Sequence, residues 1–356
     1  MDLHAFPVAP VTHKDIKQAW LEAQSELIKT ASYLVAESYE MTEAEVVASG
    51  CGRFVTRLWG DWRELLNSLN ALGPLKVQIR NGQILHEVVM DFANPLSVLD
   101  KRLLFRDDKI SLKLEINRLQ LAFLIDEAFL GSQQLSICFF DLDGSPVMRV
   151  VISTESQSLC MSLLKRFFHP NQSPEQPVIH LGKLLPEPSW PANNIEQLRD
   201  DWRSLCTSEG IWLLLDQYGV NYQRLLDMLD APLVRPIPNG SFWVLFELGM
   251  DNLVPFKLTS RSNGAVLEWV GTITQVAPKD NVLCIKGERS KLSINIEEID
   301  EGRLVELPGA NVPSMVVFFN ARGEHLLSIT IPQMTKGHTH IGSWRHIVDV
   351  LVTLDS

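Results

Sequence analysis

Phe139-Phe140-Asp141-Leu142-Asp143-Gly144 returns as Phe318-Phe319-Asn320-Ala321-Arg322-Gly323, an offset of 179 (319 − 140), and Asn81-Gly82-Gln83-Ile84-Leu85 returns as Asn263-Gly264-Ala265-Val266-Leu267, an offset of 182 (263 − 81). In a chain of 356 residues, a near-constant offset of this size means two copies of one unit, each large enough to bury a core of its own. Whatever one half folds into, the other half repeats.

Each copy opens with helical periodicity and then switches to a period of two. Over 15–37 apolar residues recur at helical spacing (Ile16, Trp20, Ala23, Leu27, Leu34), and Thr42-Glu43-Ala44-Glu45 reads as a capping box for a short helix ending at Ala48. Asp61 is placed to cap a third helix with the stripe Trp62, Leu65, Leu66 and Leu69, stopped by Gly73-Pro74, so three helices are expected before the first strand. From Leu75 the pattern alternates, Asn81-Gly82 is a hairpin turn, and 84–89 runs back. Further strands are expected over 101–105, 110–114, 119–125, 135–140 and 147–152, followed by a helix over 158–168.

Pro170, Pro174, Pro177, Pro186, Pro188 and Pro191 then forbid regular structure and mark a linker. Asn194-Ile195-Glu196-Gln197 repeats the capping box, with helices expected through Trp202 and Leu205, over 211–218 and 222–229, and near the end over 343–351. The fold class read from this pattern is α+β, a tandem structural repeat over 1–168 and 195–356 joined by a linker over 169–194. Each half is a helical prelude followed by an antiparallel β-meander, and the two sheets stack with a cleft between them as the default ligand site.

Composition excludes several classes. Apolar runs such as 211–215 and 316–319 fall far short of the ~20 residues a membrane-spanning helix needs, and the N-terminus lacks a basic-then-apolar signal, so a cytoplasmic protein without membrane insertion is expected. Cys51, Cys138, Cys160, Cys206 and Cys284 are scattered with no C-x-x-C pair, which suggests neither a disulfide framework nor a zinc site. A net charge of −11 argues against nucleic acid. A helix-turn-helix over 31–48 would put Glu43 and Glu45 against phosphate. No Gly-rich phosphate loop, G-x-S-x-G elbow or H-E-x-x-H occurs.

Four segments carry a resemblance. Leu69-Asn70-Ala71-Leu72-Gly73 with Ile79-Arg80-Asn81 and His86-Glu87, then Leu99-Asp100-Lys101-Arg102-Leu103, then Phe139-Phe140-Asp141 to Gly144, and Asp201-Trp202-Arg203-Ser204-Leu205 are similar, in this order, to the segments "LG...TRNEYAVHE", "LDLRLF", "QFFDxxG" and "EWRAMTDVHQFF" of the bacterial haem-utilisation family typified by HemS and ChuS. The resemblance implies a cytoplasmic, two-repeat protein that takes haem into the inter-repeat cleft, for transfer to a haem oxygenase or another haem acceptor, or for ring opening. The protein's part would be an axial ligand, cations for the propionates and an apolar slot.

In the family segment the axial histidine stands eight places after the glutamate, and the ungapped counterpart here is Glu209. A carboxylate is a weaker donor to ferrous iron than imidazole. Glu209 therefore reads either as an altered iron-ligand position or as a first-turn glutamate stabilised by the helix dipole after the capping residues Thr207 and Ser208. Cys206 could offer a thiolate or be an inert thiol. The family's tyrosine and arginine after the last strand fall on Thr330-Ile331-Pro332-Gln333-Met334, which holds no cation and no phenol.

Arg102 keeps the family's distal arginine, and Arg289 or Lys291 lies near where a basic residue of the second repeat is expected. His86 is the alternative iron ligand, weighed against a structural histidine on a strand; Arg80 could face propionates or pair with an acidic residue. His338, His340 and His346 invite a metal reading, but Gly337-His338-Thr339-His340 is more simply a polar loop. The leading expectation is haem binding and trafficking with Arg102 distal and the proximal position altered. The alternatives are a divergent non-haem member acting as a binding or protein-interaction module, and haem degradation with an external reductant.

Overall fold

The computed structural model describes residues 12–25, 31–82, 84–93, 96–98, 101–127, 134–175, 195–205, 210–229, 232–238, 240–307, 314–332 and 339–354. The capping box at Thr42 forms, with the Thr42 side chain on the Glu45 amide and Glu45 on the Thr42 amide, and launches α3 (Glu43–Ala48) after α1 (His13–Ser25) and α2 (Ala31–Ser38). Asp61 caps α4 (Trp62–Ser68) as expected. Between α3 and α4 lies a strand that the helical reading passed over, β1 (Val55–Leu58), which pairs with β7 (Leu121–Asp126). Four residues between two helices are too short for a period of two to register.

The hairpin β2 (Leu75–Asn81) and β3 (Ile84–Met90) turns at Asn81-Gly82, and β4 (Leu96–Val98), β5 (Arg102–Arg106), β6 (Ile110–Glu115), β8 (Leu135–Phe140), β9 (Pro146–Ile152) and α5 (Gln157–Leu164) complete the first half. The second half follows with α6 (Ile195–Arg203), α7 (Gly210–Tyr218), α8 (Tyr222–Asp227), β10 (Val234–Ile237) and α9 (Ser241–Asp251). Then come β11 (Pro255–Ser262), β12 (Ala265–Lys279), β13 (Val282–Gly287), β14 (Ser290–Asn295), β15 (Glu301–Glu306), β16 (Ser314–Phe319), β17 (His325–Thr330) and α10 (Thr339–Thr353). The repeat extends through the strands: β5 and β13 begin 180 residues apart (282 − 102), as do β6 and β14 (290 − 110) and β7 and β15 (301 − 121).

The halves exchange strands. The first sheet runs β1-β7-β8-β9-β2-β3 and is extended by β14, β13 and the end of β12 from the second half. The second sheet runs β10-β15-β16-β17-β11-β12 and is extended by β6, β5 and β4 from the first. β12 belongs to both: Ala265 to Trp269 pair with β6, whereas Ile273 to Lys279 pair with β13. All pairs are antiparallel, and alternate residues of each strand face inward.

The inward faces of both sheets share one apolar core that includes Val77, Ile79, Val88, Leu112, Leu258, Leu267, Trp269 and Leu292. Each helical prelude covers one end of an outer face. Trp20, Val35, Val46 and Val47 pack over Phe123, Cys138 and Phe140 of the first sheet, and Trp202, Ile211, Tyr222 and Leu225 over Val305, Met315, Val317 and Phe319 of the second. The turns interlock across the pseudo-twofold: the Asn81 amide donates to the His325 carbonyl at 2.5 Å, and the equivalent Asn263 donates to Asp141 Oδ2 at 3.0 Å and Ser145 Oγ at 2.9 Å. The linker expected over 169–194 lies for the most part outside the described residues.

Candidate functional site on the outer faces of the sheets

Because the inner faces are closed by core, the half-exposed polar surfaces are the outer faces, and strand exchange builds each of them from both repeats. On the second sheet one register row runs Arg106, Ser111, Glu268, Thr259, Ser328, Val317, Arg303. Its equivalent on the first sheet runs Lys286, Lys291, Glu87, Gln78, Arg149, Cys138, Phe123. A buried glutamate sits at the same place in each, Glu87 at 6% and Glu268 at 9% exposure.

The surroundings differ. Glu87 receives Lys76 at 3.7 Å, Lys291 at 3.6 Å and the Gln78 amide at 2.9 Å. Beyond it Arg149 pairs with Glu127. Arg80 pairs with Glu43 and lies 4.2 Å over the Tyr33 ring, its guanidinium pushed down to about 10 by burial. On the second sheet Glu268 receives Lys257 at 3.0 Å and Lys113 at 3.6 Å, and Thr259 and Ser328 stand in the places of Gln78 and Arg149. Arg102, on β5 of this second face, is exposed and pairs with Glu115 at 3.4 Å.

His86 points inward. Its Nδ1 lies 2.8 Å from Ser260 Oγ and its Nε2 3.1 Å from Ser290 Oγ, so strands β11 and β14 of the second half hold both ring nitrogens. Burial pushes its pKa down to about 4 and keeps the ring neutral. An iron ligand there would have to displace a serine hydroxyl inside the core, and Arg102 lies on another surface. Arg289, at the β13–β14 turn with φ 58°, donates to Asp107 Oδ2 at 2.6 Å and to the Val89 carbonyl at 2.8 Å. Arg80, Arg289 and His86 are thus not brought together with Arg102.

Glu209, Cys206, Gln333, Met334 and His338 lie outside the described residues. His340 and His346 are on α10. The residues flanking the Glu209 segment are defined: a Cβ on Gly210 would stand 2.6 Å from Leu205, so the ends of α6 and α7 meet, and the Tyr218 hydroxyl donates to Asp201 at 2.5 Å across them.

Sequence reasoning missed His325, Lys257, Lys113 and Glu268. His325 lies under α8, stacked 5.2 Å from Tyr222 with Nε2 2.7 Å from Ser328 Oγ, and burial pushes its pKa down to about 3. The signal that could have found the others is a charged residue inside an alternating strand, as Glu268 is within 265–269. Among the described residues no helix is long and apolar enough to cross a membrane, and no three of His, Cys, Asp or Glu converge on a metal position.

The profile of the Haemin-degrading HemS.ChuX domain matches residues 40–160. The chain is 24% identical over 341 residues to the hemin transport protein HmuS of Yersinia pestis, covering 95% of this chain and 97% of that one. The heme-degrading enzyme ChuS of Escherichia coli O157:H7 superposes with a TM-score of 0.83 at 20% identity, covering 96% of this chain and all of the other. Residues 40–160 carry a HemS.ChuX-type domain, and the chain over nearly its whole length is similar to HemS/ChuS-like proteins. Holo-PhuS, a heme-binding protein from Pseudomonas aeruginosa, has the same fold as this chain, with a TM-score of 0.82 at 20% identity and 96% and 99% coverage. The α+β architecture read from the sequence is the fold these structures share.

Proposed function

We propose that the chain is a cytoplasmic haem-binding and haem-trafficking protein of haem-iron utilisation, passing haem to an oxygenase or another acceptor. The observation that carries this reading is that similarity to the hemin transport protein HmuS spans 95% of the chain while Arg102, the arginine matching the distal one of the resembled family, stands on an outer face built from both repeats. Haem, when bound, supplies the iron chemistry. The chain's own residues supply cations for an anionic edge, with Arg102, Lys113 and Lys257 on one face, and these fit the carboxylates of the group. They fit the iron less well: position 209 carries a carboxylate, and His86 is enclosed between two serines.

Hemin titration tests this. The expected result is a saturable Soret band at one equivalent, with Glu209→His tightening binding and shifting the band toward imidazole ligation. Absence of binding in both proteins would favour the second reading, a divergent family member that binds another planar or anionic molecule or a protein, for which the carboxylate at 209 is the motive. Ring opening is the third reading. Soret decay with bile-pigment absorption on adding reductant under air is its signature, and persistence of the band removes it.

A further inference from the structure

We infer that Gln172 and Pro236 close the equivalent free edges of the two sheets, one with a side chain and one with a missing N–H, so that a second copy of the chain cannot add a strand at either. Among the described residues, β1 and β10 each pair along one side with a single strand, β7 and β15. They are counterparts: Arg57 opposes Phe123 and Pro236 opposes Arg303, at offsets of 179 (236 − 57) and 180 (303 − 123). An edge strand offers its outward N–H and C=O groups to any extended chain, and identical edges on two copies can meet about a twofold axis.

On β1 the outward groups are those of Val55 and Arg57. Val55 is satisfied by the turn before it, donating to the Gly50 carbonyl and accepting from the Gly52 amide, both at 3.2 Å. Further along, the segment 167–169 lies beside the strand. The Trp59 amide donates to the Phe167 carbonyl at 2.8 Å and the His169 amide to the Arg57 carbonyl at 3.0 Å, with Leu58 opposite Phe168. An ordinary antiparallel rung would return the Arg57 amide to the His169 carbonyl. Instead the Gln172 carboxamide is inserted into that rung. Its Oε1 accepts from the Arg57 amide at 2.8 Å, and its Nε2 donates to the His169 carbonyl at 2.6 Å and to the Arg57 carbonyl at 3.1 Å. Pro170 has no N–H to continue the ladder, and a carboxamide, which carries the acceptor and donor of a peptide unit, fills the place that the backbone leaves.

The second sheet meets the same need differently. The Leu233 carbonyl accepts from the Glu306 amide at 2.7 Å, so alternate residues from 233 face β15 and Pro236 faces outward. Pro236 is exposed, and it removes at this position the donor that Gln172 covers at Arg57. One backbone position is thus closed twice by unrelated chemistry, which a merely local packing role for Gln172 would not require. Neither edge carries Arg102 or the buried glutamates Glu87 and Glu268, so the closure holds with or without a ligand on the outer faces.

The test uses the full chain, with amide hydrogen exchange at Arg57 and sedimentation velocity over a wide range of concentration. Gln172→Met, which keeps the length of the side chain and removes both arms, should speed exchange at Arg57 by about tenfold, the scale of one hydrogen bond. Asn171→Ala, on the same segment but away from the rung, should change it by less than about twofold. Pro236→Val restores an outward N–H on the second sheet. The double variant Gln172→Met with Pro236→Val should associate with rising concentration beyond the wild-type state, and Pro236→Val alone to a smaller degree.

Unchanged exchange at Arg57 in Gln172→Met, or an equal rise in Asn171→Ala, overturns the role of Gln172. A double variant that sediments as the wild type at every concentration overturns the closure of the edges. Association of variants that keep the wild-type thermal midpoint is pairing of folded chains and supports it, whereas association that appears only with a lowered midpoint comes from unfolding and overturns it.

Discussion

The Arg289 guanidinium donates to Asp107 at 2.6 Å, joining the tip of β13–β14 in one repeat to the tip of β5–β6 in the other. The contact is reciprocated about the pseudo-twofold, because Lys109 pairs with Glu288. The backbone follows the same symmetry: the Val89 amide donates to the Arg289 carbonyl at 2.9 Å and the Val270 amide to the Lys109 carbonyl at 2.7 Å. Arg289 therefore serves as a clamp between repeats.

Arg289→Ala is expected to lower unfolding stability by about 1–2 kcal/mol, since it removes a partly screened ion pair and a bond to a carbonyl while leaving a side chain at φ 58°. Arg289→Gly should recover about 0.5–1 kcal/mol of that loss by relieving the left-handed backbone. Urea midpoints in the order wild type, Gly, Ala check this; an Ala variant as stable as the wild type refutes the clamp. Hemin affinity should be unaffected by either change.

Stability is expected to fall as pH drops below neutrality. His86 and His325 are held neutral in the folded chain with pKa values near 4 and 3, below the ordinary histidine value, so between about pH 6.5 and 4 the unfolded chain binds protons that the folded chain does not. The sign follows: the contribution is complete above about pH 6.5 and is lost on acidification, at up to about 1.4 kcal/mol per pH unit for each histidine. Urea unfolding of His86→Gln between pH 7 and 4.5 should show a shallower slope than the wild type, and an equal slope would remove His86 as a contributor.

Arg80 fastens the N-terminal helices to the first sheet through Glu43 and Tyr33, with the Ser32 hydroxyl on the same Glu43 at 2.7 Å. Arg80→Met strands a largely buried carboxylate and should cost about 3 kcal/mol. Amide exchange should rise first in α2 and α3. The double variant Arg80→Met with Glu43→Gln should regain much of the loss, and failure to do so would show that the pair is not the fastening.

Gly73 and Gly144 both have φ between 70° and 80°, yet a Cβ at Gly73 meets nothing within 4 Å whereas one at Gly144 would lie 2.4 Å from Thr42 Oγ1. Ala at Gly73, where φ is 74° and ψ −159°, a combination nearly reserved to glycine, should cost about 1–3 kcal/mol from backbone strain alone. Ala at Gly144 should cost more, because it also displaces the cap of α3. Equal thermal midpoints for the two variants would contradict this.

The duplication, the capped helices at Thr42 and Asp61 and most strands were legible because each rests on local periodicity or a local cap. What was not legible is long range. Nothing within 84–89 says that β3 will meet β14, so the alternation that puts His86 on one side of its strand could not reveal that the side faces Ser260 and Ser290 of the other half. For the same reason the two alternatives for Arg80, propionates or an acidic residue, could not be separated before Glu43 was seen beside it, and nothing near Arg289 in the sequence pointed to Asp107. Lys113, Lys257 and Glu268 come from three strands of two repeats, and their meeting depends on a pairing between β6 and β12 that no spacing encodes.

β12 is one strand whose beginning joins the two halves inside the second sheet and whose end extends the first. A polypeptide cut within 176–194 would yield two pieces that each lack a wall supplied by the other, and each would leave an edge of core residues, such as Leu112 or Leu292, in water. Such fragments should persist only as a reassembled pair, which makes the duplicated gene product an obligate intramolecular dimer.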